Sequence, residues 1–160
     1  MTVRQRPVET VAQASGAFVV HAETLEVQTD ERMQLIDLTD RVMAVVRRLP
    51  VREGTVSLFS MHTTCTVFIN EFQAALVADI LTFLNRTVVN DADWLHNHPE
   101  HSDCDRRNAD SHLRALLLGH SLVLQVSGGE IVLGKWQRIL MAELDGPRPR
   151  SVRMSVMGVA

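Results

Sequence analysis

Seven histidines occur in 160 residues, and four of them, His96, His98, His101 and His112, fall in or beside one acidic stretch. Neutral imidazole is the commonest side-chain ligand of divalent transition metals, and a ligating ring normally gives its second nitrogen to a carboxylate or carbonyl. Asp91, Asp93, Glu100, Asp103 and Asp105 are near in sequence to serve as that partner. No pair has the helical i, i+4 spacing of a zincin motif, so spacing alone leaves a solvated His/Asp loop equally open.

His62 strengthens the case. The run Ser60-Met61-His62-Thr63-Thr64 interrupts two apolar stretches and puts an imidazole and two hydroxyls where a core residue is expected. Polar groups in such a place are either hydrogen-bonded or used. A core histidine satisfied by Thr63 or a backbone carbonyl is the plain alternative.

Arg148 and Arg150 flank Pro149 two residues apart, a spacing that projects both guanidiniums from one face of a strand as a phosphate clamp. Salt bridges to the acidic loop or to a neighbouring subunit explain them equally well. Asn70 and Glu71 end one apolar run and begin another, where an N-cap and an acidic first-turn residue have ordinary structural roles. Cys65 and Cys104 lack the paired spacing of a zinc knuckle or a redox dithiol, and two cysteines are too few for a disulfide framework.

The elements that must carry these residues follow from periodicity. Residues 18–27 and 33–38 read as strands, and Val42, Val45, Val46 and Leu49 fall on one helical stripe after a Thr39-Asp40 cap. Residues 54–61 and 64–69 read as strands on either side of His62. The stretch 71–86 carries Leu76, Val77, Ile80, Leu81 and Leu84 on one stripe and is expected to be the longest helix, capped by Asn70. Between residues 90 and 110 the apolar pattern collapses into a long polar loop, a type of segment that is usually functional or disordered. A short helix over 112–118 ends at Gly119, and strands are expected over 121–126, 130–133, 136–144 and 151–157, with a tight hairpin at Gly128-Gly129. The fold class is therefore α+β, with a mostly antiparallel, β-sandwich-like core and two or three helices.

Length and composition suit one domain, expected over residues 16–160 behind a loose arm at 1–15. The formal charge of −3 argues against a nucleic-acid partner. Lys135 is the only lysine, so an anion site here must use guanidinium. With no apolar leader and no membrane-length apolar run, the expected location is cytoplasmic, without a membrane partner.

The ordered set His62-Thr63-Thr64, Asn70-Glu71, Asp79, His96-Asn97, Asp103, Asn108-Ala109-Asp110-Ser111-His112-Leu113, Gly119-His120-Ser121, Leu133-Gly134-Lys135-Trp136-Gln137 and Glu143-Leu144-Asp145-Gly146-Pro147-Arg148 resembles the signature of the YjbQ family. The likeness spans about residues 16–158. It implies a compact α+β fold, a homotrimer, a pocket holding His62, His96 and His112 near a subunit boundary, and a weak ability to make thiamine phosphate. That transferase reaction joins a pyrimidine pyrophosphate to a thiazole phosphate and expels pyrophosphate. The sequence departs from the family pattern at Cys65, where a small alanine or serine is expected, and at His98, where an acidic residue is common.

Residue chemistry and resemblance together give the leading expectation, a small enzyme acting on phosphorylated small molecules. His62, His96 and His112 would hold one divalent metal, zinc for preference, with Arg148, Arg150, Asn70 and Thr63 contacting the anion. Glu71 or Asp103 would be the general base. The alternatives are a trimeric metal- or ligand-binding protein without turnover, and a metal-dependent hydrolase of a phosphorylated metabolite.

Overall fold

In the computed structural model, which describes residues 10–90 and 92–160, the longest alternating segment becomes strand β1 (Phe18–Gln28), with Leu25 and Val27 facing in and Phe18 and Val20 facing out. It pairs with β8 (Pro149–Val159), and the sheet continues through β3 (Glu53–Ser60), β5 (Ser121–Ser127) and β6 (Glu130–Ile131). A smaller sheet holds β2 (Gln34–Asp37), β7 (Arg138–Glu143) and β4 (Cys65–Asn70) in the order β2-β7-β4. Every pairing is antiparallel. Val56 stands opposite Val156 and Leu124, and Leu58 opposite Met154 and Leu122. All of these fall on the inner face, so a one-residue slip would turn the row out to solvent.

The two sheets enclose the main core, and α1 (Thr39–Arg47) packs into it through Val42, Val45 and Val46. Behind the smaller sheet, α2 (Ala74–Thr87) and α3 (Ala109–Leu118) build a second cluster with Leu35, Leu84, Ala115, Ala142 and Leu144. Strand β7 is thus the middle of three layers. Ile139 and Met141 face the large sheet, Ala142 faces the helices, and residues 139–143 are all buried. A strand covered on both sides reads as a continuous apolar run, as the sequence does here. The expected α+β, sandwich-like architecture is what forms, with three α-helices among the described residues where two or three were expected.

Element ends shift for identifiable reasons. Helix α2 starts at Ala74, not residue 71, because Asn70 is still held in the β4–β7 ladder opposite Arg138. Gln73 is the cap, accepting from Leu76 N at 2.9 Å, while Asn70 Oδ1 accepts only from Glu71 N. Helix α1 has Leu38 at its N-cap; just before it Asp37 Oδ1 accepts the Thr39 N–H at 2.8 Å, and Thr39 Oγ1 accepts the Ile139 N–H. Helix α3 begins three residues before the apolar signal, since Asn97 Oδ1 takes the Ala109 N–H at 3.0 Å. The Gly134–Gln137 turn, closed by Gln137 N–H to Gly134 O at 2.9 Å, delays β7 to Arg138.

The hairpin forms at Gly128 and Gly129 with φ of 60° and 81°, the left-handed pair that a two-residue β-turn requires. Of the expected arm, residues 1–9 lie outside the described set, and residues 10–15 are exposed without regular structure. Among the described residues, no helix is long and apolar enough to cross a membrane.

Candidate functional site

At one end of the sandwich the inner faces of the two sheets carry charge instead of apolar side chains. Glu143 ends β7 and Arg150 is the second residue of β8, both fully buried. Their fork-to-fork pairing puts Arg150 Nε 2.5 Å from Glu143 Oε2 and Nη2 against Oε1, and the same Nη2 donates to Thr64 Oγ1 at 3.1 Å. Paired geometry and extra hydrogen bonds of this kind are what make two buried charges tolerable. Just past the strand, buried Asp145 accepts from Arg106 Nε at 2.7 Å, Asn108 Nδ2 at 2.7 Å and Arg148 Nη2 at 3.1 Å. The Thr29 hydroxyl accepts the Arg148 N–H at 2.9 Å and lies 3.1 Å from Glu143 Oε2, joining the two clusters.

Above this floor opens a cleft of about 370 Å³ lined by Met61, His62, Thr63, Thr64, Cys104, Arg106, Asn108, His112, Arg148 and Arg150. Three guanidiniums reach its wall, while the two carboxylates that balance them lie beneath. The exposed side of the network is therefore positive. Of the two arginines expected to form a clamp, Arg150 gives Nε and Nη2 to Glu143 and Thr64, and Arg148 has one side-chain hydrogen bond among the described residues; Arg106, used by Asp145, stands beside them.

His62 and His112 face this cleft as neutral bases. Burial, seconded by the Arg150 charge, lowers the His62 pKa, and burial seconded by His96 lowers that of His112. His62 Nε2 accepts the Ser151 backbone N–H at 2.9 Å, which leaves the ring proton on Nδ1. On the far side of His112, His96 meets it edge-on with ring centroids 5.0 Å apart. The short 3-10 turn Leu95–Asn97 holds His96 in place, because the same turn caps α3 through Asn97. Ser102 Oγ accepts the Cys104 N–H at 3.1 Å and lies 3.3 Å from His96 Nδ1, so it can donate its own proton there and keep the His96 proton on Nε2.

The chain thus brings His96 and His112 together and places His62 on the same cleft as His112, but not as a ready three-nitrogen centre. Among the described residues, no three His, Cys, Asp or Glu side chains are grouped to hold a metal ion. A neutral ring whose Nε2 accepts a backbone N–H presents an N–H at its other nitrogen, so His62 as placed does not fit as a ligand. Thr63 does line the cleft. Glu71 does not: it lines a separate recess with Phe72, Lys135, Trp136 and Arg138, because the ladder carries Asn70 away before the chain turns into α2. Asn70 is exposed and also absent from the cleft wall. Asp103 is exposed beside Cys104, which lines the cleft in its place. Asp91 lies outside the described residues. His98 pairs with exposed Asp93 at 2.5 Å and takes no part in the cleft.

Sequence reasoning did not assign roles to Glu143, Asp145, Arg106, Asn108 or Cys104. The legible signal was the strand alternation that turns Glu143 inward beside Met141, since a carboxylate in that row must have a cationic partner. Cys65, by contrast, is fully buried, and burial raises its thiol to about 11. It is packing material, with no thiolate chemistry near neutral pH.

Fold and site together define an antiparallel α+β protein with an arginine-lined cleft that the half-buried His62 and His112 also line. The chain belongs to the UPF0047 family of YjbQ-like proteins, which it matches over residues 23–159. It is similar to the UPF0047 protein of Methanothermobacter thermautotrophicus, 44% identical over 144 residues that cover 89% of this chain and 96% of the relative. The UPF0047 protein YugU of Bacillus subtilis is 29% identical over 136 residues, 85% and 98% of the two chains. Among solved structures, a YbjQ-like protein of unknown function from Sulfolobus solfataricus superposes with a TM-score of 0.82 at 32% identity, covering 89% of this chain and 99% of that one. A hypothetical protein from Aeropyrum pernix gives 0.78 at 33% identity, with 86% and 98% covered.

Proposed function

We propose that the cleft binds the phosphate of a small molecule and performs acid–base chemistry beside it, an enzyme of the kind the likeness to secondary thiamine-phosphate synthase implies. The observation that carries this reading is Arg148, 29% exposed on the cleft wall with a single side-chain bond, next to a His112 that burial keeps neutral. A guanidinium with unused donors offers charge and forked geometry to phosphate oxygens. A neutral imidazole within the same cleft can take a proton from an attacking hydroxyl or amine, or hold one for a departing oxygen. Departure of pyrophosphate in a transferase, or attack on a phosphate ester in a hydrolase, would draw on the same two groups.

Titration calorimetry with inorganic phosphate and pyrophosphate, on the wild type and on Arg148→Met, tests the binding step. Binding by the wild type that falls at least about tenfold in the variant supports it. Failure of either anion to bind the wild type removes it. A panel of phosphate esters and pyrophosphates, run with and without chelator and repeated with His112→Asn, separates a working enzyme from a binding protein without turnover.

A second reading, a zinc or other divalent ion, is favoured by the His96–His112 pair at 5.0 Å. It needs a further ligand beyond these two. Metal analysis of purified protein tests it, and loss of any stoichiometric ion in His96→Ala is the supporting result. Assembly into a trimer would use the outer face of the large sheet, where Val20, Phe59, Val123 and Met157 are exposed around the small residues Ala22, Ser57 and Ser155. Light scattering coupled to gel filtration reads three copies if that proposal is right, and fewer copies with Val123→Asp.

A further inference from the structure

His112 is a wall shared by two spaces of opposite character. On one side is the polar cleft with Arg106, Asn108, Arg148 and Arg150. On the other is a recess of about 290 Å³ lined by Trp94, Leu95, His96, Ala109, His112 and Leu113. The recess is built from apolar surface. Trp94 spends its one polar atom on Val89, donating Nε1–H to the carbonyl at 3.1 Å, so its ring offers only a hydrophobic wall. Leu113 and Leu95 supply aliphatic carbon, and Leu95 is 65% exposed.

Position decides what this recess is for. Ala109, His112 and Leu113 lie at i, i+3 and i+4 of α3, so one helical stripe forms its floor, and that stripe begins at the turn of Asn108 which holds Asp145. The Leu95–Asn97 turn forms the opposite wall and is bonded to the same helix end through Asn97. Recess and cleft are therefore fixed to each other by one helix N-terminal turn. Small-molecule sites commonly enclose roughly 300–1,000 Å³ and join a mostly apolar surface to a few convergent polar groups. The recess brings no cationic group to its two imidazoles, and the cleft brings no aromatic or leucine surface beyond Met61. Across His112 they complete each other.

Resting on the anion-binding reading above, we propose that the ligand is a phosphate ester with a flat apolar body, its phosphate against Arg148 and Arg106 and its body in the recess of Trp94, Leu95 and Leu113. The ester oxygen, lying between the two parts, then falls beside His112. Free inorganic phosphate fills only half of this site and binds more weakly than an ester that fills both.

The experiment compares inorganic phosphate, phenyl phosphate and phenol by calorimetry, and follows Trp94 fluorescence in Trp136→Phe, which leaves Trp94 as the single tryptophan of the two in the chain. Phenyl phosphate is expected to bind at least about tenfold more tightly than inorganic phosphate, and to change the Trp94 emission where inorganic phosphate does not. Leu113→Asn should bring phenyl phosphate down to the level of inorganic phosphate and leave the latter unchanged. Because Leu113 is partly buried, Leu95→Asn, at an exposed position, provides a second variant without a folding liability, with the same direction and a smaller loss. If both phosphates bind equally, or the advantage survives both substitutions, the inference is overturned while anion binding stands. Phenol binding as tightly as phenyl phosphate overturns it as well. If neither phosphate binds, the anion-binding reading falls and takes this one with it.

Discussion

The protein buries two arginine networks, and they differ in how completely the donors are used. Arg114, on α3, is fully buried, and its guanidinium donates to Asp110 Oδ2 at 2.7 Å, Val88 O at 2.7 Å, Leu84 O at 3.4 Å, Asn90 Oδ1 and Met33 Sδ. It adds to the closure of the carbonyl end of α2, where Val88 N–H also donates to Leu84 O at 3.0 Å and the Thr87 hydroxyl to Phe83 O at 2.8 Å. The network around Glu143, Asp145 and Arg150 is equally buried at its base, but it ends in Arg148 and Arg106 at the surface of a cleft, where Arg148 makes one side-chain bond. The same residue type serves structure where every N–H is answered by its own chain. Where some are left over, as at Arg148, they are the donors that the proposed anion site would use.

Substitutions that separate stability from binding put this contrast to the test. The largest effect is expected from Asp110→Ala, which leaves the Arg114 charge buried without its carboxylate. A loss of ~3–5 kcal/mol in denaturant unfolding is expected, with phosphate binding intact in whatever folded protein remains. A result within experimental error of wild type would remove the structural role given to that pair. Next comes Arg148→Met, expected to weaken phosphate about tenfold or more while changing the unfolding midpoint little, since the side chain is partly exposed with one bond. A large loss of stability there would place Arg148 with Arg114 and dissolve the comparison.

A smaller effect should appear with pH. The folded chain holds His62 and His112 below the ordinary 6.5, so on acidification the unfolded chain takes up these protons first. Their contribution is complete above about pH 6.5 and is lost progressively as the pH falls below it. Thermal unfolding at a series of pH values reads the slope, and the double variant His62→Asn, His112→Asn should flatten it. Glu71→Gln closes the series. Because its side chain lines a different recess, stability should move by no more than about 0.5 kcal/mol and phosphate affinity not at all. A measurable loss of affinity would return Glu71 to the site.

Much of the fold was legible because burial imposes periodicity. The stripe Val42, Val45, Val46 and the alternation of β8 each point one way only. Element ends were harder to read, since they depend on partners distant in sequence: Arg138 holds Asn70 in a ladder, and Asn97 caps α3. At the site, the histidines stood out by type, yet spacing could not show that Ser151 N–H occupies His62 Nε2. Nor does any local pattern reveal that Arg150 meets Glu143 across two sheets, because that contact depends on how the layers stack.

Glu143 is the last residue of the strand that both layers cover, so the base of the cleft is anchored in the part of the molecule least free to move. The part of its rim that holds Cys104 and Arg106 comes from residues 92–107, where short turns and side-chain bonds replace a ladder. Ligand arrival should therefore leave amide exchange across 139–143 unchanged and slow it along the rim, a site whose anvil is permanent and whose jaw alone responds.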